Sequence, residues 1–466
     1  MIRYLRNSLF VILLLLAYGS RAQVVITTYA GMPGSAGYAG DSGPANAANF
    51  ASPSDVAVDK IGNLYIADFE NNTIRKVDTF GTITTFAGTG FGAGIAPPSG
   101  GYTGDNGQAT AAELNGPFAL VVDKAGNVIF ADGYNHAVRM INTAGIITTI
   151  AGKNLMGYSG DNGPATDARL NNPVGVALDT SGNLYIADDH NNVIRKVNTS
   201  GIITTFAGNT IAGYTGDSGP ATAATLDLPL GVAVDSRNNV YIADAQNNVV
   251  RKVNTSGIIT TYAGGAGGTD TAHGSTGDSG PAINARLYYP TRLVFDPSDN
   301  LYISDANNNV VRKVTPEGSI YAFAGTGVQG FSGDGGTPDT AELFLPHGIA
   351  INQHGIFYVA DRGNEVIRRI GPPIVPNSVQ PVPNLKLTGL AVYPNPVRTG
   401  ILNIKITSDL TEDAMLTVTN VLGQTLQQQT ITTNKPATIK MDEPAGIYFI
   451  SAVSRNGNWK TEVVVE

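Results

Sequence analysis

The sequence predicts an all-β fold built from a repeated four-strand unit, and three observations carry that prediction. Glycine is abundant, 56 of 466 residues, yet 42% of the chain is hydrophobic. That composition describes short apolar runs broken by turns, not disorder. A Gly-Asp loop recurs at Asp41, Asp105, Asp161, Asp217, Asp278 and Asp334, and each Asp is followed 12 residues later by a proline. A second aspartate stands 27 residues after the first, at Asp68, Asp132, Asp188, Asp244, Asp305 and Asp361; it opens a D-x-x-N motif and precedes Arg75, Arg139, Arg195, Arg251, Arg312 or Arg368 by seven residues. Six units with fixed internal spacing and four strand signals each read as the blades of a six-bladed β-propeller.

Taken in order, residues 1–22 have the pattern of a secretory signal. Arg3 and Arg6 supply the charged start, Leu9 to Gly19 is apolar but short for a bilayer span, and small residues flank Arg21 ahead of a cleavage before Gln23. An uncleaved anchor is the alternative, and no transmembrane segment is expected once the signal is removed. Val24 to Gly31, "VVITTYAG", reads as a strand. In the third unit, strands are expected at Val174–Asp179, Asn183–Asp188, Val193–Val197 and Ile202–Gly208, β-branched and aromatic runs parted by turn residues. The sixth unit stops at its third strand, Val366–Ile370, and Val24–Gly31 has the sequence of its missing fourth. The N-terminal strand is therefore expected to close the ring, giving a propeller over residues 23–371 with no open edge between first and last blade. A Pro-rich linker follows at 372–384. Residues 385–466 alternate apolar and polar in the runs "LNIKIT", "AMLTVTNVLGQTL", "PATIKMD", "GIYFISAV" and "KTEVVVE", the pattern of a small Ig-like β-sandwich.

Several function classes are excluded. The formal charge is −8 and the basic residues are scattered, so no nucleic-acid footprint exists. With no cysteine in the chain, disulfides, thiol nucleophiles and Cys-based metal sites are ruled out. "GTGFGAG" (Gly88–Gly94) lies in a connector and opens no helix, so it fails as a phosphate loop.

The connector carrying Asp41 and its five equivalents is expected to cross one face of the disc, and that set is the expected binding face. The second aspartates and the arginines are assigned structural roles in the repeat, in turns and in pairing with carboxylates. Calcium at the Gly-Asp loops is an alternative, but one carboxylate per loop falls far short of a calcium shell, and no cofactor or metal is assigned. The residues following the prolines, Ser54, Phe118, Val174, Leu230, Thr291 and His347, enter the innermost strands near the ring axis. Next come Asp55, Ala119, Gly175, Gly231, Arg292 and Gly348. Asp55, Arg292 and His347 break the repeat in consecutive blades of a closed ring and are the candidate catalytic or anion-binding residues. Drift at exposed positions is the competing explanation. The five histidines occupy non-equivalent positions, which argues against a three-His zinc centre.

The run "PVGVALDTSGNLYIADDHNNVIRKV" (Pro173–Val197) resembles NHL-type repeats. The resemblance implies a propeller, in a class that serves more often as a binding platform than as an enzyme. In the tail, "VYPNP", "NVLGQTL" and "PAGIYFISAV" appear in the order of the C-terminal sorting domain of the type IX secretion system of Bacteroidetes. That resemblance implies that the secretion machinery engages residues 385–466 and that the protein is released or held at the outer-membrane surface. The chain ends "VVVE" where a basic residue is commoner, with Lys460 nearby. The combined expectation is a non-enzymatic platform for a protein or glycan ligand. The alternatives are a propeller lyase or lactonase, which these repeats distantly resemble, acting at the channel mouth, and a structural surface or adhesion component.

Overall fold

The computed structural model describes residues 23–94, 99–265, 275–373, 389–393, 397, 400–408, 411–420, 424–454 and 458–465. The predicted signal and all of the predicted linker beyond residue 373 lie outside the described residues. The chain divides into two compact units, one ending at Ile374 and the other starting at Val375.

Strand formation in the first unit follows from β-branched runs stopped by side chains that compete for the backbone. In the third repeat the strands are Pro173–Leu178, Leu184–Asp188, Val193–Val197 and Ile202–Ala207. The first strand stops at Leu178 because Asp179 turns the chain: its Oδ1 accepts the N–H groups of Ser181 and Asn183, both at 2.9 Å. The same unit recurs as six antiparallel sheets. Their innermost strands are Pro53–Val58, Pro117–Val122, Pro173–Leu178, Pro229–Val234, Pro290–Phe295 and Pro346–Ile351, numbered here as sheets one to six. Each innermost strand packs on the next, and that of sheet six packs on that of sheet one.

Two sheets depart from the expected four strands. Gly163–Pro164 pairs with Ile202 and Ile203, and Gly219–Pro220 pairs with Ile258 and Ile259, each adding a fifth strand. Single bridges at Pro44, Gln108 and Pro281 repeat the arrangement in other sheets. The connector thus covers the outer edge of the sheet it is about to enter, protecting unpaired backbone groups. The outermost strand of sheet six is Val25–Ala30, antiparallel to Val366–Gly371 with Val25 opposite Gly371.

Apolar clusters fill the space between adjacent sheets. One joins Tyr185, Ala187 and Ile194 of sheet three to Val232, Val240 and Ile242 of sheet four. Edge-to-face pairs such as Tyr185–Phe206, with ring centroids 5.0 Å apart, finish the layer within a sheet.

The second unit has a three-stranded sheet, Gly389–Tyr393, Ile401–Thr407 and Pro436–Lys440, with Ile401–Thr407 in the middle. A four-stranded sheet runs in the order Thr425–Thr432, Asp413–Asn420, Gly446–Ser454, Asn458–Val465. Leu402, Ile404 and Ile406 of the first sheet share one buried cluster with Leu416, Val418 and Ile450 of the second. The run "AMLTVTNVLGQTL" covers most of one strand, Asp413–Asn420, and the start of the next, Thr425–Thr432. The polar stretch from Gln427 concealed the second, which buries little besides Ile431. Among the described residues, no helix is long and apolar enough to cross a membrane.

Candidate functional site

The repeated charges form a buried scaffold. Each arginine of the repeat is fully buried and pairs with both aspartates of its unit. Arg195 Nη2 donates to Asp161 Oδ1 at 2.6 Å, and Nη1 lies 3.5 Å from Asp188 Oδ2. Asp188 Oδ1 accepts the Asn171 N–H at 2.7 Å, and Asn191 Nδ2 reaches Oδ2 at 2.9 Å and the Gly157 carbonyl at 2.8 Å. Arg75, Arg139, Arg251, Arg312 and Arg368 repeat this with Asp41 and Asp68, Asp105 and Asp132, Asp217 and Asp244, Asp278 and Asp305, and Asp334 and Asp361. Burial pushes Asp188 up to about 6, while Asn191, the Asn171 N–H and Arg195 pull the other way.

The second aspartates, whose turns are expected from the sequence to share the face that the connectors cross, sit beneath the surface and not on its rim. Asp41, Asp161 and their equivalents remain partly exposed, but Oδ1 of each is taken by arginine. In Asp41, Asp161 and Asp217, Oδ2 also accepts a threonine hydroxyl at 2.7 Å. A calcium ion at these loops would have to displace the guanidinium.

At the centre of the six sheets, Arg292 reaches from sheet five across to sheets one, two and three. It pairs with Asp55 Oδ2 at 2.9 Å and donates to the carbonyls of Leu120 at 3.1 Å and Val176 at 3.4 Å. Glycine lines the innermost strands beside it: a Cβ on Gly175 would strike the Leu230 carbonyl, and one on Gly348 would strike Asp55. Burial lifts Asp55 to about 6 against the pull of Arg292. Asp55, Arg292 and His347 are all buried, so drift at exposed positions does not describe them. The structure joins Asp55 to Arg292 and holds His347 separately, its Nδ1 2.9 Å from the Ser54 carbonyl. The equivalent residues Thr291 and Ser54 likewise donate to the next sheet, to the carbonyls of His347 at 3.3 Å and Phe118 at 2.7 Å. Burial first, then Arg362, pushes the His347 imidazole down to about 3, so it is neutral.

Above this layer runs a ring of clasps that the sequence reading missed. Each D-x-x-N turn ends in a left-handed residue whose side chain accepts the N–H of the residue before the next proline. The acceptors are Asn72, His136, Asn192, Asn248, Asn309 and Glu365; the donors are Gly116, Asn172, Leu228, Tyr289, Leu345 and Ser52, at 2.6–3.1 Å. The donors are left-handed too, with Leu228 at φ 48° and Tyr289 at φ 57°, conformations that cost bulky residues energy.

Between the clasps, the residue after each second aspartate varies without pattern: Phe69, Gly133, Asp189, Ala245, Ala306 and Arg362. Those variable positions build a polar and aromatic mouth. The Arg362 guanidinium lies 5.1 Å from the Phe69 ring centroid and 5.9 Å from that of Phe118. Phe69 is edge-on to Phe118 at 5.3 Å and tilted against Tyr134 at 5.9 Å. Ser52 ties down two acids, its hydroxyl donating to Glu70 Oε1 at 2.9 Å and its N–H to Glu365 Oε2 at 2.6 Å. Asp189 Oδ2 accepts Asn172 Nδ2 at 3.1 Å, and its Oδ1 is buried with no hydrogen-bond partner among the described residues. Burial, reinforced by Asp188 and Asp227, raises Asp189 to about 7. Burial raises the Tyr289 hydroxyl, with the charge of Asp189 adding to the rise and that of Arg362 opposing it. Among the described residues, no group of three or more acids and histidines is gathered as a metal-ligand set.

The chain matches the family described as Teneurin NHL domain over residues 19–101, 87–159, 156–214 and 210–332, and the Secretion system C-terminal sorting domain over residues 391–466. It is 30% identical to Teneurin-1 of Gallus gallus over 288 residues, 56% of this chain and 10% of that one. The chain thus spans about a tenth of the length of the curated relatives it matches first. Among solved structures, a Bacteroides thetaiotaomicron protein of unknown function aligns with a TM-score of 0.54 at 19% identity, over 75% of this chain and 76% of that one. An auxiliary nutrient binding protein from Bacteroides thetaiotaomicron aligns at 0.53 and 18%, over 75% and 77%. Likeness at this identity concerns the fold alone.

Proposed function

We propose, from the premise that this chain belongs to the teneurin NHL domain family and ends in a secretion system C-terminal sorting domain, that it is a non-enzymatic binding platform. It is an exported protein, released or surface-held through its sorting tail. Six sheets packed in cyclic order, with Val25–Ala30 completing the sixth, support a closed six-bladed propeller over residues 23–371. The two sheets around one core support a β-sandwich for the sorting domain over 385–466. The ligand is a protein or a glycan. A neighbour in fold is described as an auxiliary nutrient binding protein, in keeping with that reading.

One observation carries the proposal. The scaffold repeats sheet after sheet, whereas Phe69, Glu70, Tyr134 and Arg362 break the repeat together at one mouth. The centre is filled by the Asp55–Arg292 pair, which leaves the surface of the six sheets for binding. The neutral, carbonyl-bound His347 and the paired Asp55 offer no free acid and base couple, which weighs against a lyase or lactonase there.

The test is a screen of the full-length secreted chain against immobilised glycans and surface proteins. The expected result is a ligand whose binding falls about tenfold, roughly 1.4 kcal/mol, with Tyr134→Ala. Ile61→Ser, in the exposed turn between the first two strands of sheet one, should leave it unchanged. Binding indifferent to Tyr134 and to the other mouth residues would overturn the proposal.

A further inference from the structure

A separate opening lies at the other end of the strands. Leu64–Asp68 carries its D-x-x-N turn at one end and the turn built on Asp59 at the other. Beside the Asp59 turn, between sheets one and two, is a cleft of about 600 Å³. That volume is in the range of small-molecule sites, roughly 300–1,000 Å³. Its walls include Tyr65 and Phe86 of sheet one and Val122 of sheet two. Phe86 and Val122 are each partly exposed. Tyr65 and Phe86 meet edge to face with centroids 4.8 Å apart. The Tyr65 hydroxyl donates to Asp59 Oδ2 at 3.3 Å, which holds the ring in place.

Sheets four and five show what fills such a cleft. The wall there is again an edge-to-face pair, Tyr241 and Tyr262 at 4.9 Å, with Lys252 Nζ 5.1 Å from the Tyr241 centroid. Val122 ends the innermost strand of sheet two, and Phe295 ends that of sheet five. The Phe295 ring packs edge to face on Tyr241 at 4.8 Å, and the space remaining is about 50 Å³. With valine in that position, the cleft between sheets one and two keeps the aromatic wall and lacks the ring. An aromatic ring is therefore the body that the open cleft fits.

The charges of the lining decide what the ring carries. Lys60, Lys76 and Lys124 stand against Asp59 and Asp123, a surplus of one positive charge. Both carboxylates are consumed by their own turns. Asp59 Oδ1 accepts the N–H groups of Gly62 and Asn63, and Asp123 Oδ1 those of Ala125 and Asn127, all at 2.8 Å. Lys60 Nζ donates to the Lys124 carbonyl and Lys124 Nζ to the Thr180 carbonyl, both at 2.8 Å. Lys76 differs. Its ammonium lies 5.6 Å from the Tyr65 centroid and makes no hydrogen bond or ion pair among the described residues. A cation beside an aromatic wall, with no protein anion to neutralise it, suits a flat ligand bearing one negative charge.

We infer that this cleft binds a small aromatic carboxylate, its ring seated where sheet five places Phe295 and its carboxylate on Lys76. The site is independent of the mouth and of the mouth's ligand.

Ligand-observed NMR titration of the full-length chain tests this, with phenylacetate, phenylacetamide, acetate and phenyl phosphate as probes. Phenylacetate should bind roughly tenfold more tightly than phenylacetamide, the range of one charge-assisted hydrogen bond. Acetate, lacking the ring, should not bind measurably. Val122→Phe, which copies sheet five, should abolish phenylacetate binding. Lys76→Gln should lower it to the level of phenylacetamide. Thermal unfolding checks that each variant is folded. Lys76→Gln has no hydrogen bond to lose, and it decides alone if Val122→Phe does not fold. Phenylacetate that fails to bind, or binds equally well to folded Val122→Phe, overturns the inference. Equal binding of acid and amide, with Lys76→Gln indifferent, does so too. Phenyl phosphate binding more tightly than phenylacetate overturns the carboxylate assignment. Tyr134→Ala should change none of these affinities, so this inference and the platform reading fail separately.

Discussion

The chemistry of single residues separates scaffold from mouth. Arg195 is fully buried between two carboxylates, one buried and one about one-third exposed. Removing it strands Asp188 without its cation, so Arg195→Met should destabilise the first unit by about 3–5 kcal/mol, read from its urea midpoint. Asp161→Asn, at the exposed end of the same triad, should cost about 1 kcal/mol or less. A second prediction concerns acid. The folded His347 titrates near 3 and an unfolded histidine near about 6.5, so between these values the unfolded chain binds the extra proton. Stability from His347 is therefore full above about pH 6.5 and is lost as pH falls through that window. Asp55, lifted to about 6, acts in the opposite sense and loses stability as pH rises. Comparing the parent with His347→Gln isolates the imidazole: from about pH 7 to about pH 4.5 the parent should lose about 2–3 kcal/mol more. The repeated Asp and Arg were legible from spacing alone, because six copies announce themselves. Arg362 was not, because it lies one residue beyond a repeated aspartate, at a position that reads as unremarkable turn until the fold sets it against Phe69 and Phe118. Asp55, Arg292 and His347 were legible as exceptions, but their partners were not: nothing in the sequence says that Arg292 spans three sheets.

At the scale of the element, the strands were readable because β-branched runs alternate with turn residues that stop them. What spacing could not supply was the connectors' second role at sheet edges, or the ring of clasps. The clasp depends on a left-handed turn residue in one unit and a backbone N–H in the next, two positions with no shared motif. Val25–Ala30 shows what an edge element contributes. Ile26 is fully buried, so Ile26→Ala should cost about 2–5 kcal/mol in first-unit stability. The N–H groups of Ile26 and Thr28 point away from the ladder, to Gly336 and Asp334, which leaves Thr27 facing Arg369. Thr27→Pro should break that pairing and expose Val366–Gly371, seen as faster amide exchange in that strand and as self-association through the freed edge.

For the whole molecule, the division after Ile374 predicts two separate unfolding transitions in calorimetry. Limited proteolysis within residues 374–388 should give two fragments that each retain their own transition; a single cooperative transition lost on cleavage would contradict this. Sequence reading recovered the order of the parts because each part carries its own pattern. The cluster of Arg362 on Phe69 and Phe118 escaped it because its members come from different repeats.

The strand from which the chain leaves the first unit also bears on mechanics. Val366–Gly371 is not at the edge of its sheet: Phe357–Asp361 flanks it on one side and Val25–Ala30 on the other. Tension drawn along it from the tail would load two hydrogen-bonded ladders at once in shear. An outermost strand would instead peel away one bond at a time. By borrowing its last strand from the far end of the chain, sheet six turns the exit into a doubly fastened strap.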